Sequence, residues 1–285
     1  MLDAVDLEGW FAEHGRDLPW RRIRDPWSIL VSEIMLQQTQ VNRVVDRWHR
    51  FMERFPTPEV TAGAPVAAVI DEWSGLGYNR RAVSLHRCAV EVTERFGGTM
   101  PSTLDELLSL PGVGPYTARA LAVFAFEQPE AVVDTNVARI LARTSGRTMT
   151  RAEVQRLADG SVVGRDPWAW NQALLDVGAT SCRPDPDCKR CPFNRVCAWH
   201  LADCSEPDPA DGSAGVSGRQ SRFEGSDRQG RGRLVRALRN GSVAENDLAA
   251  VMGWPDDEAR AERVAATLVV DGLAVHANGR YHLPG

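Results

Sequence analysis

Apolar residues recur at three- and four-residue spacing through most of the first two hundred positions, which predicts a run of short amphipathic helices rather than strands. Val5, Leu7, Trp10 and Phe11 mark a helix over 3–15, and Asp25-Pro26-Trp27-Ser28 opens another that runs from Ile29 to about Gln38. Between them Leu18-Pro19-Trp20-Arg21 reads as extended, because a residue before proline avoids the helical region. Further helices are expected over 42–55, 64–73, 83–96, 104–110, 116–126, 136–145, 151–160 and 168–180. Residues 205–230 are rich in Asp, Gly and Ser with almost no apolar content, so they read as a linker. Beyond it, 231–240, 244–252 and 257–271 read as helices and 273–283 as a hairpin turning at Asn278-Gly279, in the manner of a winged helix. The expected organisation is therefore a mainly α domain over 1–204, a linker over 205–230 and a small α+β module over 231–285.

Length and charge narrow the partners. With 285 residues, 43% of them hydrophobic, the chain can bury a generous core. A net charge of -5 excludes a protein coated in basic residues, so contact with nucleic acid would need a local patch or helix N-termini. No apolar run approaches a membrane span, and Met1-Leu2-Asp3-Ala4 lacks the basic start of a signal peptide, so a cytoplasmic monomer is expected.

The chemistry concentrates in a few stretches. Leu110-Pro111-Gly112-Val113-Gly114-Pro115-Tyr116-Thr117-Ala118 joins two predicted helices through a tight turn. Gly112 and Gly114 let a phosphate approach the backbone, and Pro115 suits the first turn of a helix whose free N–H groups attract an anion. An ordinary helical hairpin would look the same. Asp134 precedes Thr135-Asn136-Val137 as a fair N-cap, a role compatible with a catalytic carboxylate kept ionised by the helix end. Glu33 shares its helix face with Ile29, Leu30, Leu36 and Gln37; inside that stripe its pKa would rise, whereas at the edge it would reach water. Trp73–Arg81 is a glycine-loosened turn in which Leu76 and Tyr78 serve either as a wedge into stacked bases or as core, beside Arg80 and Arg81. Cys182, Cys188, Cys191 and Cys197, four of six cysteines, have the compact single-knuckle spacing that suits a [4Fe-4S] cluster better than a zinc ribbon. Cys88 and Cys204 fall outside it and read as ordinary thiols.

These segments together resemble the MutY-type adenine DNA glycosylases of the helix-hairpin-helix, endonuclease III superfamily. The likeness rests on Trp20-Arg21, on Val31–Gln40 with Glu33, Gln37, Gln38 and Thr39, on Leu76-Gly77-Tyr78, and on Tyr116, Asp134 and Asn136. It covers about residues 5–204, and Phe223–Gly232 is similar to the linker of actinobacterial members. The resemblance implies a two-lobed helical fold and excision of adenine mispaired with 8-oxoguanine or guanine in double-stranded DNA. It implies Glu33 as the acid and Asp134 as stabiliser of the sugar cation. Trp20, Arg21, Leu36, Tyr116, Asn136 and Gln172 would form the base pocket. Contacts to DNA would come from Gln37, Gln38, Thr39, Leu76, Tyr78, Gly112, Val113 and Gly114. Lyase relatives carry a Schiff-base lysine where this chain has Tyr116, so the likeness implies a monofunctional enzyme. The loop Arg183–Asp187 is one residue shorter than the family's and acidic, which puts its contact with DNA in doubt. No Nudix-like domain fits in the remaining length. Two rivals stay open: a glycosylase of the same fold with another target base, and a non-enzymatic iron–sulfur sensor read through the C-terminal module. For that module a protein-contact role is the alternative to DNA binding, since Asp256, Asp257 and Glu258 open its last helix.

Overall fold

The computed structural model describes residues 5–213, 215–216 and 222–285. In chain order α1 spans Leu7–His14, α2 Pro26–Leu36, α3 Val41–Arg54, α4 Pro58–Ala62 and α5 Val66–Glu72. The long α6 (Arg80–Phe96) leads to α7 (Leu104–Ser109), α8 (Pro115–Phe124), α9 (Thr135–Ser145), α10 (Arg151–Val162) and α11 (Pro167–Thr180). A short α12 (Ala198–Leu201) follows the cysteines. The chain ends in α13 (Asp227–Leu238), β1 (Val243–Ala244), α14 (Leu248–Met252), α15 (Glu258–Val270), β2 (Val275–Ala277) and β3 (Arg280–His282). The architecture is mainly α with one small C-terminal sheet, as the apolar spacing predicts.

The residues fall into two compact units, each built from separated stretches of chain. The first comprises Met1–Pro26, Ser102–Leu104 and Gly114–Arg219; the second comprises Trp27–Pro101, Asp105–Val113 and Gln220–Gly285. In the first unit Leu7, Val137, Ile140, Leu141, Trp170, Leu174, Val177 and Phe193 form one core that joins α1, α9 and α11. Gly178 lets α11 approach the start of α9, because a Cβ there would stand 2.4 Å from that of Asn136. In the second unit Trp27 donates to the Phe55 carbonyl (3.1 Å) and Trp48 to that of Ser28 (2.9 Å), so two buried indoles satisfy their N–H groups while filling the core.

The C-terminal module belongs to this second unit. Its sheet has the order β1-β3-β2, both pairs antiparallel, and Asn278 and Gly279 make the turn with positive φ. Arg239 bonds the Asp71 carboxylate (2.6 Å) and the Ser74 hydroxyl, and Arg228 donates to the Tyr78 hydroxyl (2.8 Å).

Several expectations shift. Pro19–Arg21 is a turn of 3-10 helix, and only Leu18 is extended, because the Arg21 N–H reaches back to the Leu18 carbonyl. The five-residue α4 and the two-residue β1 are too short to leave a periodic pattern. The segment read as a linker is structured at both ends. Asp208 pairs with Arg143, the Ser213 hydroxyl accepts from the Met149 N–H (3.1 Å), and α13 starts at Asp227 behind a Ser226 cap. Residues 214 and 217–221 of it, like residues 1–4, which include the start of the first predicted helix, lie outside the described residues.

Candidate active site and cysteine cluster

Asp134 is the N-cap of α9. Its Oδ1 accepts from the backbone N–H groups of Asn136 and Val137, both at 2.8 Å, and its Oδ2 from the Asn136 amide at 2.9 Å. Burial nevertheless outweighs these donors and the nearby Arg139 charge, so the Asp134 carboxyl sits above its ordinary range. That corrects the expectation that the helix end alone would keep it low. The Asn136 amide is itself held, since Arg139 donates to its Oδ1 at 2.7 Å. Arg139 also donates to the carbonyls of Gly178 (2.9 Å) and Cys182 (2.7 Å), so one buried guanidinium links the Asp134 cradle to the start of the cysteine loop.

The approach to Asp134 is fixed from the other side by Asn171. Its Oδ1 accepts from the Val132 N–H (2.7 Å), and its amide donates to the carbonyls of Glu130 (3.0 Å) and Pro167 (2.7 Å). Gln172, the next residue, is buried at 5% exposure. Tyr116 opens α8 just after Pro115 and is half-buried. Trp20 is buried, and so is Arg21, whose guanidinium makes a bidentate pair with the fully buried Asp176 (2.7 and 2.8 Å). Arg16 adds its backbone N–H (2.7 Å) and its Nε (2.6 Å) to the same carboxylate. Arg21 is thus an anchor of its own unit, with both terminal nitrogens engaged and its buried Nε left without a partner among the described residues.

In the second unit Glu33 lies on α2, where every residue from Trp27 to Met35 is buried, and its own exposure is 6%. The alternative of a carboxyl reaching water at the edge of the stripe does not hold. Past Leu36, which is half-buried, the helix stops two residues earlier than expected. Arg81 ends it: its Nη1 donates to the carbonyls of Ile34, Met35 and Gln37 at 2.6–2.8 Å, and its Nη2 to Thr39 Oγ1 and the Gly77 carbonyl at 3.0 Å. Burial lowers its pKa to about 10, still far above neutrality, so Arg81 is a buried cation and not part of a solvated face. Gln38 takes a φ of 55° beyond that cap and is exposed, whereas Gln37 and Thr39 are half-buried.

Of the two wedge candidates Leu76 is 3% exposed and packs as core, while Tyr78 is half-buried with its hydroxyl bonded to Arg228. Arg80 is exposed, with Asp271 at 3.8 Å. In the turn after α7 Gly112 has φ +80°, and a Cβ there would meet Ser84 at 2.8 Å. It is exposed, whereas the Val113 side chain is buried, so any phosphate contact at Val113 is through its backbone.

Cys182, Cys188, Cys191 and Cys197 line one cavity together with Arg143, Asn194, Trp199 and His200. Arg143 lies 3.6 Å from the Cys182 thiol and donates to the carbonyls of Arg183 (2.6 Å) and Pro184 (3.0 Å), which ties down the short loop. Burial pushes the Cys191 thiol up to about 12 and that of Cys188 to about 11. Cys88 is buried and raised to about 12, as an inert thiol would be. Cys204 departs from the ordinary thiol expected of it, since its Sγ is 4.0 Å from that of Cys188.

The profile of the HhH-GPD superfamily, described as base excision DNA repair proteins, matches residues 31–161. An adenine DNA glycosylase of Mycolicibacterium smegmatis is 40% identical over 291 residues, covering 100% of this chain and 97% of that protein. Among solved structures, a thermostable thymine-DNA glycosylase superposes with a TM-score of 0.66 at 30% identity over 69% of this chain and 94% of its own. A trapped endonuclease III–DNA covalent intermediate shares the fold, with a TM-score of 0.62 at 23% identity over 72% of this chain and 95% of that one.

Proposed function

Since the chain belongs to the adenine DNA glycosylases of the helix-hairpin-helix base-excision-repair superfamily, and is an enzyme acting on N-glycosyl bonds in DNA, we propose that it removes adenine mispaired with 8-oxoguanine or guanine and leaves the strand uncut. The observation that carries this reading is the three-donor cradle around Asp134 in a chain that also holds a buried Glu33.

Glu33, protonated, gives its proton to adenine N7 as the glycosidic electron pair moves onto the leaving base. Such acid catalysis contributes about a hundred- to ten-thousandfold. The sugar is left as an oxocarbenium-like cation, which the ionised Asp134 stabilises, or traps covalently, until water attacks. The donors from Asn136 and Val137 hold the carboxylate in place and favour its charged form, and the developing positive charge adds to them. Gln172 presents an amide that can serve both edges of adenine. Tyr116 cannot form a Schiff base with the sugar, which is why strand cutting is not expected.

The four cysteines fit a [4Fe-4S] cluster: all face one cavity, two are buried and two half-buried, and thiolates are the ligands such a cluster takes. Cys182, Cys188, Cys191 and Cys197 would hold it. Bound, it supplies a covalent tie that shapes the loop, while Arg143 stands ready to donate to the Cys182 sulfur.

One assay tests the whole reading. Duplexes carrying A:8-oxoG, A:G, T:G or no mispair are incubated with enzyme and resolved with and without alkali. Alkali-dependent cleavage at adenine alone is expected. Cleavage at T:G instead would favour the thymine-directed rival suggested by the thermostable neighbour, and the absence of cleavage from every duplex would favour the sensor.

A further inference from the structure

Beside the four expected ligands stands a tighter set of donors. The Sγ atoms of Cys188 and Cys204 are 4.0 Å apart, and the Cys204 Sγ is 3.8 Å from His200 Nδ1. All three donor atoms lie within 4.8 Å of one another, and each residue is half-buried, so an ion can reach them from solvent. These separations are those of one metal ion and not of a cluster. Tetrahedral zinc with Zn–S of about 2.3 Å and Zn–N of about 2.0 Å places its ligand atoms roughly 3.6–3.8 Å apart. A four-iron cluster keeps its thiolates further apart, because four irons stand between them.

The backbone around the trio is shaped to produce it. Asp203 and Cys204 have φ of 54° and 52°, two consecutive left-handed residues that are not glycine. L-residues adopt that conformation at a cost, and it persists where surrounding structure enforces it. Here the Asp203 N–H bonds the His200 carbonyl (3.0 Å) and the Cys204 N–H bonds that of Trp199 (2.9 Å), reversing the chain after α12 so that the Cys204 thiol returns to His200. An uninvolved thiol at the end of a helical domain requires no such reversal.

We propose that Cys188, His200 and Cys204 form a mononuclear site for a borderline-soft divalent cation such as zinc, with water as fourth ligand, and that this site and the four-cysteine cluster compete for Cys188. The competition rests on the cluster reading of the preceding section; the three-residue site stands without it. Thiolate and imidazole donors suit zinc and its cobalt substitute, and each thiol gives up its proton to solvent as the metal binds. A chain loaded at this site cannot complete the cluster, so zinc excess during synthesis would displace iron.

The test uses the full-length chain and Co2+ as the only probe, added after iron has been stripped with a chelator under reducing conditions. One Co2+ per chain is expected, with thiolate-to-cobalt charge transfer and the intense visible bands of tetrahedral cobalt. Cys204→Ser should lose the charge-transfer intensity of one thiolate and bind at least tenfold more weakly, and His200→Asn should also weaken binding. Cys191→Ser, which keeps all three donors, should bind Co2+ as the parent does. An unchanged cobalt spectrum in Cys204→Ser, or its loss in Cys191→Ser, would overturn the proposal. A second measurement does not depend on an iron-free fold. After growth in zinc-supplemented medium, Cys204→Ser should contain several-fold less zinc than the parent, and equal zinc would overturn the proposal as well. If the parent purified without added zinc holds no iron, the cluster reading fails by itself and the cobalt result still decides the trio.

Discussion

Arg139 reaches Asn136 with one guanidinium nitrogen, 2.7 Å from the amide oxygen, and the amide nitrogen of the same Asn136 reaches Asp134. Arg139 therefore orients the amide: with its oxygen occupied, Asn136 can present only its N–H to the carboxylate. Arg139→Leu leaves that oxygen and two buried carbonyls without their donor, which should cost about 3 kcal/mol, or roughly 6–12 °C in melting temperature. Single-turnover excision should fall at least tenfold while duplex affinity holds. Arg139→Lys, which keeps the charge but not the fork, should stay near the Leu variant; recovery to parental rate would mean that charge alone matters.

Glu33→Gln keeps shape and hydrogen bonding but removes the acid. Adenine excision under single-turnover conditions should fall at least a hundredfold, about 2.7 kcal/mol of barrier, with little change in DNA binding. A variant within tenfold of the parent would place the acid elsewhere.

Burial holds Asp134 above the usual carboxylate range, so the acid limb of the excision rate against pH should lie above the value of about 3.9 for a free aspartate. Asn136→Ala removes the amide donor that favours the ionised form and should move that limb to higher pH. A limb that stays in place when the donor is removed would show that another group sets it.

Asp176 is fully buried, yet burial is outweighed by the hydrogen bonds and charge of Arg21, with Arg16 adding to both, so its carboxyl lies below the ordinary range. A depressed folded pKa gives stability that is fully present above the unfolded value, about 3.9, and is lost as pH falls through the lower folded value. Asp176→Asn should therefore cost about 3–5 kcal/mol at pH 7 in urea unfolding, and the gap to the parent should narrow at the acid extreme. An equal gap at both pH values would assign the loss to packing.

What was legible in the chain was whatever repeats or has a local signature. The spacing of Val137, Ile140 and Leu141 gives α9, Asp134 announces its cap, and Asn278-Gly279 gives the hairpin turn. Glu33 could be placed on an apolar face, but its burial depends on what covers that face. Arg81 illustrates the other limit: its partners are the carbonyls at the end of α2, 44 to 47 residues away, and no pattern of side chains encodes a bond to backbone. Asp176 likewise has no local signature, because Arg16 and Arg21 are remote in sequence. Cys204 falls outside the cluster spacing, and only the reversal at Asp203 brings it to Cys188.

Each compact unit is assembled from pieces on both sides of the other in the chain, and that has a consequence for synthesis on the ribosome. Arg16 leaves the exit tunnel 160 residues ahead of the carboxylate it will pair with. At about 5–20 residues per second, α1 waits roughly 8–30 seconds for α11. The lobe that carries Glu33 is in the same position, since it is completed only by residues after Gln220. Neither half can be finished and set aside while the other is made, so the nascent protein carries two unfinished cores at once. A chaperone that shields apolar helices should matter more to this protein's yield than its modest length suggests.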